Sequence, residues 1–372
     1  MTRLRVAVLF GGRSAEHEIS CLSARSLIDA LDPDDIEVIP IGITREGRWH
    51  RLPGPPALPS ETGRMPEVTG EAGTSVELAG ETASSELVAA DGSRVPIDVV
   101  FPVLHGPAGE DGAVQGLLEL AGVPYVGAGV LGSALGIHKE VQKRLLRDAG
   151  LPIGPYRAVH EREWSDHASA VAAATRALGY PVFVKPATLG SSVGVSRVDV
   201  EGELGTAMDE AFRYAREALI EKAAEGAREI ECSVLGNDDP VASVPGEIVT
   251  EGHPFYDYEA KYLDEHGARL LIPADVRAGV RAEIQRLAVT AFTTIRCAGM
   301  ARVDFFLLPG DELWVNEVNT IPGFTEISMY PKLWEASGMP YAALVRRLLD
   351  LAIERHAAER KSTGVKELGR RG

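Results

Sequence analysis

The stretch Ala301–Phe324, ARVDFFLLPGDELWVNEVNTIPGF, decides the fold of the C-terminal part of the chain. It predicts two strands joined by a Pro-Gly-Asp-Glu turn, because runs rich in strand-forming residues flank four residues typical of a turn. If those four residues form the loop, Leu308 pairs with Leu313. The register of the whole hairpin then follows from that one pair.

This register places four polar side chains on one face of the hairpin. Asp304 lies opposite Glu317 and Arg302 opposite Asn319, and residues two apart along a strand share a face. Two carboxylates and an amide oxygen suit a hard cation such as Mg²⁺, which often binds one or two carboxylates plus substrate phosphates. A solvated polar face is the alternative. The flanking runs FFLL and LWV favour a buried strand pair, in which carboxylates need a partner, and so favour a metal site.

Composition limits the classes of function. A chain of 372 residues with 45% hydrophobic content can form two or three domains with a sizeable core. The net charge of −16 and the lack of a long basic run argue against nucleic acid or an anionic membrane as a partner. The apolar run that follows the basic start is shorter than we expect of a signal peptide, and no run approaches the roughly 18 apolar residues of a membrane span. Three scattered cysteines indicate neither a disulfide framework nor a zinc site, so we expect a cytoplasmic enzyme.

The N-terminal part has the pattern of a parallel α/β domain. Strands are predicted at Arg5–Phe10, Val38–Ile43 and Asp98–Leu104. A glycine turn and a helix follow the first strand, with Glu16 in the first helical turn, where the helix dipole favours a carboxylate. The third strand runs into HGPAGEDG, which begins at His105. Glycine-rich loops at the carboxyl ends of parallel strands are a common place for functional groups.

The central part combines two lysines with a small-residue loop. Lys139 lies in the first turn of an amphipathic helix, against the preference set by the helix dipole, and no lysine precedes it in the chain. Lys185 interrupts the apolar strand Tyr180–Pro186, where a lysine needs a partner or a function. The loop Ala187–Ser196 follows directly. Its glycines and serines offer backbone and hydroxyl donors to an anion, which suggests a flap over phosphates.

The next strand and loop carry further polar groups. In Ala227–Leu235, Glu229, Glu231 and Ser233 alternate with apolar residues, as expected of a strand with one polar face. Gly252–Leu263, GHPFYDYEAKYL, contains three tyrosines, a phenylalanine and a lysine without a clean period. It predicts a long ordered loop, the usual place for a lid, with a core aromatic cluster as the alternative.

Four other segments complete the chain. Leu52–Arg94, rich in Pro, Gly, Ser, Thr and Glu, predicts a surface excursion with a short hairpin such as SVELAG. Arg277–Ala298 and Tyr341–Arg355 are predicted helices, and the tail 357–372 is polar and expected to fray.

Six blocks together resemble a known family. GGRSAEHEIS, HGPAGEDG, VKPATLGSSVGVS, FYDYEAKYL, MARVDFF and NEVNTIPGFT, in this order, are similar to the D-alanine–D-alanine ligases of the ATP-grasp superfamily. The resemblance covers the chain except the excursion and the tail. It implies a mixed α/β (α+β) ATP-grasp fold of three α/β domains, the first built on a parallel sheet, and a homodimer. The implied domains are 1–137, 138–229 and 230–356, followed by the tail.

The resemblance also implies a reaction and a set of site residues. ATP phosphorylates one D-alanine, and the amine of a second attacks the D-alanyl phosphate, which yields D-alanyl-D-alanine for peptidoglycan precursors. The implied metal ligands, for two Mg²⁺ or Mn²⁺, are Asp304, Glu317 and Asn319. The implied ATP contacts are Lys139, Lys185, Ser192, Glu221, Lys222, Glu229 and Lys261. The implied catalytic residues are Glu16, Ser191, Tyr262, Arg302 and Gly323, and the implied D-alanine contacts are His105, Ser328 and Met329.

The implied catalytic residues have distinct roles. Glu16 would pair with the first ammonium group and would join Ser191 and Tyr262 in a hydrogen-bonded trio that closes the site. Arg302 and the Gly323 N–H would bind the oxyanion. Two departures affect the transfer: Glu221–Glu229 is one residue longer than the usual form, and Met329 replaces a leucine.

Other functions stay open at this point. A D-alanine–D-lactate or D-alanine–D-serine ligase is the nearest alternative; lactate-using relatives tend to carry histidine where this chain has Tyr262. A biotin-carboxylase type of ATP-grasp enzyme is disfavoured by the GEDG and YEAKY blocks. A non-catalytic nucleotide-binding module is disfavoured because every charged position that the mechanism requires is present.

Overall fold

The computed structural model describes residues 3–58, 65–79, 85–190, 192–250 and 268–362. Within these ranges the chain forms three β-sheets with helices packed against them, which confirms the predicted mixed α/β class. The predicted lid and the 363–372 part of the tail lie outside the described residues. So do the predicted site residues Ser191, Lys261 and Tyr262.

The first sheet has parallel strands at one end and antiparallel strands at the other. Its strands are β1 (Leu4–Gly11), β2 (Ile36–Ile43), β3 (Trp49–Arg51), β4 (Thr74–Leu78), β5 (Glu86–Ala89), β6 (Arg94–Pro96) and β7 (Val99–Pro102), in the order β6-β5-β4-β3-β2-β1-β7. β1 pairs in parallel with β2 and with β7, as predicted for this part of the chain. The helices are α1 (His17–Asp29), α2 (Ala113–Ala121) and α3 (Val130–Ile137).

The segment predicted as a surface excursion extends this sheet. Its SVELAG stretch forms β4, which pairs antiparallel with β5, so the predicted hairpin is confirmed. Val76 and Leu87 are buried in the core that α2 covers. The described part of 52–94 is therefore more than a surface loop, because its strands bury apolar side chains against the sheet.

The second sheet is antiparallel and covered by helices. Its strands are β8 (Tyr156–His160), β9 (Val182–Pro186), β10 (Ser196–Val198) and β11 (Glu217–Lys222), in the order β10-β9-β11-β8. The helices of this part are α4 (Lys139–Asp148), α5 (Glu161–Leu178) and α6 (Leu204–Phe212), with a 3₁₀ turn at Glu201–Glu203. Apolar residues of α5 and α6 form one core with β9 and β11.

The third sheet carries the hairpin of the opening stretch. Its strands are β12 (Arg228–Gly236), β13 (Val241–Ala242), β14 (Gly246–Thr250), β15 (Ala268–Leu271), β16 (Gly299–Leu307) and β17 (Leu313–Asn319), in the order β15-β14-β12-β16-β17 with β13 on β12. Its helices are α7 (Ala278–Thr294), α8 (Met329–Ala336) and α9 (Tyr341–Ser362). α9 therefore continues past the predicted helix end at Arg355. None of the described helices is long and apolar enough to cross a membrane.

The two faces of this sheet differ in character. Residues Ile284, Leu287 and Phe292 of α7 lie at helical spacing and pack with Val303 and Phe305 of β16. The alternate residues of β16 point the other way and are only partly buried. That second face faces the cavity described below.

The register of the hairpin differs from the prediction at the turn and agrees with it at the site. Leu307, not Leu308, pairs with Leu313. A β-bulge then shifts the pairing by one residue, because Asn316 is extra on β17. Asp304 consequently lies opposite Glu317 as predicted. The turn prediction was wrong by one residue because it assumed a four-residue loop, and the bulge restores the expected register.

Each sheet lies mainly within one of the three predicted domains. The predicted boundary between residues 229 and 230 falls inside β12, which begins at Arg228. The domain limits stay a prediction.

Candidate active site

One cavity of about 360 Å³ collects most of the predicted ATP and metal residues. Residues of α4 and of the second sheet line it on one side, and β12, β16 and β17 line it on the other. The predicted residues along its wall are Lys139, Lys185, Ser192, Glu221, Lys222, Glu229, Arg302, Asp304 and Glu317. Sequence positions as far apart as 139 and 317 thus meet at a single cleft.

Three carboxylates form a row across the third sheet. Glu231 on β12 lies opposite Asp304 on β16, and Asp304 lies opposite Glu317 on β17. Opposite residues of antiparallel strands have close Cβ atoms and share a face. Like charges so placed repel each other, so this row requires cations.

Two basic side chains meet that requirement. Arg302 donates from Nε to Asp304 Oδ1 at 2.7 Å and from Nη2 to Asp304 Oδ2 at 2.7 Å. Lys139 Nζ lies 3.2 Å from Glu317 Oε2. Burial would lower the pKa of Arg302, but the charges of Asp304 and Glu231 outweigh it and hold that pKa well above the ordinary value. The guanidinium is therefore permanently charged.

The same oxygens fit a divalent cation. Asp304 and Glu317 are adjacent, and Asn319 Nδ2 donates to Asp304 Oδ2 at 2.9 Å, so all three side chains converge. Carboxylate and amide oxygens are the ligands that Mg²⁺ and Mn²⁺ prefer. Arg302 and Lys139 already lie beside these carboxylates, so the carboxylate row is a place where cations bind.

A second charged cluster lies on the wall formed by the second sheet. The Glu221 carboxylate is held between Lys185 Nζ at 2.8 Å and Lys143 Nζ at 3.3 Å. Burial would raise the pKa of Glu221, but the two ammonium groups outweigh it and lower that pKa. Burial lowers the pKa of Lys143 to about 8. Lys143 also donates to the carbonyl of the bulge residue Asn316 at 2.9 Å, so it connects α4 to the metal-side strand.

Lys222 directs its ammonium group away from the cavity. Its Nζ donates to the carbonyl of Gly179 at 2.9 Å, at the end of α5. The predicted nucleotide contact by Lys222 stays a prediction, and in this conformation its ammonium group is engaged by backbone carbonyls. Glu229 faces the cavity from β12, opposite Phe306.

Glu16 and His105 form the end of the site nearest the first sheet. A β carbon added to Gly106 would lie 3.2 Å from Glu16 Oε2, and one added to Gly190 would lie 3.7 Å from the same oxygen. The loop that carries Ser191 thus approaches Glu16, as the predicted trio requires. His105 is buried with Nε2 3.5 Å from Ser23 Oγ, and burial lowers its pKa.

The segment predicted to bind the second substrate begins α8. A β carbon on Gly323 would lie 3.1 Å from Ser328 Oγ, which places these two predicted residues side by side. Ser328 Oγ accepts from the Thr325 N–H at 3.1 Å. Met329 is buried with Ile248, so its side chain packs in the core. Its backbone is the part that can contact a ligand.

Comparisons with known proteins agree with this geometry. Residues 5–128 match the family model described as D-ala D-ala ligase N-terminus, and residues 145–350 match D-ala D-ala ligase C-terminus. D-alanine–D-alanine ligase A of Escherichia coli strain K12 is 46% identical over 365 residues, covering 96% of this chain and 98% of the relative. The chain belongs to the D-alanine–D-alanine ligase family. Solved structures of this ligase family resemble it over nearly their whole length.

Two of those structures bear on the fold and on the alternatives. The D-alanine–D-alanine ligase of Coxiella burnetii has a TM-score of 0.85 and 38% identity, with all of both chains covered. The VanG D-Ala:D-Ser ligase of Enterococcus faecalis has a TM-score of 0.82 and 32% identity, covering 94% of this chain and all of that one. The predicted family and ATP-grasp fold are thereby confirmed.

Four residues of this ligase site were not predicted from the sequence as site residues. Lys143 lies four residues after Lys139, hence on the same helix face, and that spacing was an available signal. The alternation along β12 predicts that Glu231 lies on the polar face of the strand, but it indicates no role for this residue. Asn316 reaches the site because it is the extra residue of the β-bulge, which the sequence did not predict. Glu110 lies within the GEDG motif, and its contacts depend on the loop.

Glu110 has the most perturbed carboxyl in this loop. Its Oε2 accepts from the Gly106 N–H at 2.7 Å. Burial, and then the nearby charge of Glu16, raise the pKa of Glu110 from 4.5 to about 8. The folded ligase therefore binds a proton between these two pH values that the unfolded chain releases.

This pKa predicts a pH dependence of stability. Because the folded state binds the extra proton, the free energy of unfolding decreases as pH rises from about 4.5 to about 8. Glu110→Gln has no such proton, so its Tm should fall less than the wild-type Tm between pH 5 and pH 8.5, by a few degrees. Thermal unfolding followed at both pH values checks this. The Tm values of the wild type and Glu110→Gln should differ least at pH 5, which serves as the internal control. If the Tm of both proteins changed equally with pH, the raised pKa would not belong to Glu110.

Proposed function

We propose that this chain joins two D-alanines into D-alanyl-D-alanine at the expense of ATP, through a D-alanyl phosphate, for peptidoglycan precursor synthesis. The observation that carries the proposal is the facing pair Asp304 and Glu317, within reach of Lys139 and in the cavity that Lys185 lines. The two lysines, together with cations held by the two carboxylates, would neutralise a triphosphate on several sides. Glu16, near the Gly190 loop, supplies an anion for a substrate ammonium group.

The first step transfers a phosphoryl group to a carboxylate. Both partners are anions, so catalysis depends on positioning and charge neutralisation. We propose that Lys139 and Lys185 bind phosphate oxygens, and that the loop at Ser192 covers them. Asp304, Glu317 and Asn319 would hold two Mg²⁺ or Mn²⁺. When bound, such ions neutralise the phosphates and align the displacement.

The second step forms the amide bond. The amine of the second D-alanine attacks the acyl carbon, an oxyanion develops, and phosphate leaves. Arg302 and the Gly323 N–H are the proposed oxyanion donors, and Glu16 holds the first ammonium group. His105, Ser328 and the Met329 backbone are the proposed contacts for the two substrates.

The remaining roles concern the nucleotide base and the lid. Glu221, the Lys222 backbone and Glu229 are the proposed adenine and ribose contacts, since all three residues line the cavity. Lys261 is a proposed phosphate ligand. Ser191 and Tyr262 are proposed to join Glu16 when the site closes.

ADP release tests this function and its nearest alternative. The protein, ATP and Mg²⁺ are assayed with D-alanine alone, then with D-serine or D-lactate added, and the products are identified by mass. We expect D-alanine alone to support full ADP release and yield the dipeptide. A requirement for D-serine or D-lactate would assign the second substrate differently. Nucleotide binding without D-alanine-dependent ADP release would indicate a non-catalytic module.

The pH dependence of the same assay separates the nucleophiles. An amine attacks only when it is deprotonated, so dipeptide formation should rise with pH relative to depsipeptide formation. A ratio that does not change between pH 6 and pH 9 would contradict an amine nucleophile.

A homodimer in the cytoplasm is the proposed state of the ligase. Leu117 and Leu120 of α2 and Val130 and Leu131 of α3 are exposed large apolar side chains, with 74% of Leu120 accessible. The two helices are in contact, and their four exposed apolar side chains are defined here as the α2–α3 patch. Apolar patches of this kind mark interaction sites, and a second copy of the chain is the proposed occupant. ATP is available in the cytoplasm, and the three cysteines are free and buried.

Leu131→Glu is expected to weaken that dimer. A charge placed in an apolar contact has to be desolvated, so the dissociation constant should rise at least about 30-fold, the factor that 2 kcal/mol represents. Light scattering coupled to size exclusion over a dilution series measures it. Val200→Glu, at an exposed apolar residue outside the patch, is the matched control. An unchanged mass profile for Leu131→Glu would move the interface elsewhere.

A further inference from the structure

Glu231 has no role in the reaction described so far, yet it lies beside the proposed oxyanion donor. It faces the cavity from β12, directly opposite Asp304, and it is buried, with 4% of its surface exposed. Its Oε2 lies 2.9 Å from Arg302 Nε. A buried carboxylate at this distance from a guanidinium is a built ion pair and not a surface contact.

Arg302 is shared between two carboxylates. Its Nε–H is donated to Asp304 Oδ1 at 2.7 Å, while the same nitrogen lies 2.9 Å from Glu231 Oε2. Its Nη2 donates to the other oxygen of Asp304. The Asp304 pair is thus bidentate, and both of its oxygens accept from one guanidinium.

A metal at Asp304 would weaken the pair between Asp304 and Arg302, so Arg302 then needs a second partner. A divalent cation at Asp304 requires at least one of the oxygens that now accept from Arg302. A buried guanidinium that loses its counter-charge is strongly unfavourable. Glu231 provides an anion on the neighbouring strand, within reach of the same Nε–H.

We infer that Glu231 is a positioning residue that accepts the Arg302 guanidinium when Asp304 binds the metal. The inference rests on the proposed function, because it requires a metal at Asp304. Arg302 then stays charged, ordered and aimed at the reacting carbonyl throughout the cycle. The alternative role for Glu231, a third metal ligand in the carboxylate row, would leave Arg302 without either acceptor.

The Arg302 Nε–H signal distinguishes these roles without turnover. In protein labelled with ¹⁵N-arginine, proton exchange at arginine Nε is measured with and without Mg²⁺ and ADP, and Arg302→Lys assigns the signal. In the wild type, protection should persist after Mg²⁺ and ADP are added, since Glu231 accepts the N–H. In Glu231→Gln, exchange should be unchanged without metal and at least about tenfold faster with it, because a charged acceptor is lost.

Glu247→Gln is the matched control. Glu247 pairs with Arg228 on the same sheet, with Arg228 Nε 2.8 Å from Glu247 Oε1, and it lies outside the cavity lining. This variant should speed exchange at Arg228 and leave the Arg302 signal unchanged in both conditions. The control thus distinguishes the loss of a glutamate that pairs with an arginine elsewhere on this sheet from the loss of Glu231 beside the metal site.

Two outcomes would overturn the inference. If Mg²⁺ and ADP speed Arg302 exchange in the wild type as much as in Glu231→Gln, Glu231 does not accept the guanidinium. If both proteins stay equally protected, another group accepts it. Mn²⁺ binding in the presence of ADP, followed by electron paramagnetic resonance, tests the underlying site separately. Unchanged Mn²⁺ binding by Asp304→Asn would refute the proposed metal site itself.

Kinetics give a second readout. At saturating Mg²⁺, Glu231→Gln should lower kcat by roughly 10- to 100-fold, the usual cost of removing a group that orients a catalytic one, with little change in the KM for ATP. Glu231→Asp keeps the charge and should recover part of kcat. A kcat within twofold of wild type in Glu231→Gln would contradict the positioning role.

Discussion

Asp304→Asn is expected to lower kcat for dipeptide formation by about 10²–10³-fold, while the protein stays folded. The substitution keeps an oxygen of similar position but removes the negative charge that a hard cation requires. Electrostatic stabilisation of the transferring phosphoryl group is then lost, and effects of this kind are commonly about 10²–10³-fold for one interaction. Arg302 keeps a counter-charge in Glu231, 2.9 Å from its Nε, which is why we expect the fold to survive.

Steady-state ADP release and thermal unfolding measure the two parts of this prediction. Asp98→Asn is the matched control, because Asp98 forms the same kind of two-point pair with Arg5, at 2.6 and 3.0 Å, in the first sheet. Each substitution removes the negative charge of an aspartate that pairs with an arginine. Only Asp304→Asn should strongly lower turnover. If Asp304→Asn retains more than a tenth of wild-type kcat at saturating Mg²⁺, Asp304 is not a metal ligand.

Much of the fold and of the site is local enough to be predicted from the sequence. The apolar run of β1 followed by a glycine turn predicts a buried parallel strand, and the structure confirms it. The opposition of Asp304 and Glu317 was also predicted, although through a turn that was one residue too short. Two deviations from the predicted hairpin cancelled. Pairing starts at Leu307 and not at Leu308, and the bulge adds the unpaired residue Asn316 on β17. Register near a bulge depends on what the extra residue contacts, here Lys143, which no local pattern contains.

Other features depend on contacts between distant segments. The polar composition of 52–94 predicts a loop, but Val76 and Leu87 find an apolar core only because the sheet already exists. The alternation along β12 predicts that Glu231 faces the same side as Glu229, and not that Arg302 will lie beside it. That contact follows from the pairing of β12 with β16, which joins residues about 70 positions apart in the sequence.

Arg302→Lys is the second substitution with a large expected effect, and it should separate the two chemical steps. Lysine keeps the positive charge between Glu231 and Asp304, so the three-carboxylate row stays partly neutralised. It loses the planar fork that holds Asp304 at two points and can also donate to an oxyanion. Loss of one oxyanion donor corresponds to roughly 10²–10³-fold in kcat. Phosphoryl transfer, which relies on the metal ligands and on Lys139 and Lys185, should be affected less.

Rapid-quench measurement of ADP makes this difference visible. If amide formation becomes limiting, the first turnover should release one ADP per site in a burst, followed by a slow steady state. Arg228→Lys, which alters a partly buried arginine–glutamate pair on the same sheet, should show wild-type kinetics. Slow release without a burst would mean that Arg302 acts in the first step. Its position beside Asp304 would then serve phosphoryl transfer, and the oxyanion would depend on the Gly323 N–H alone.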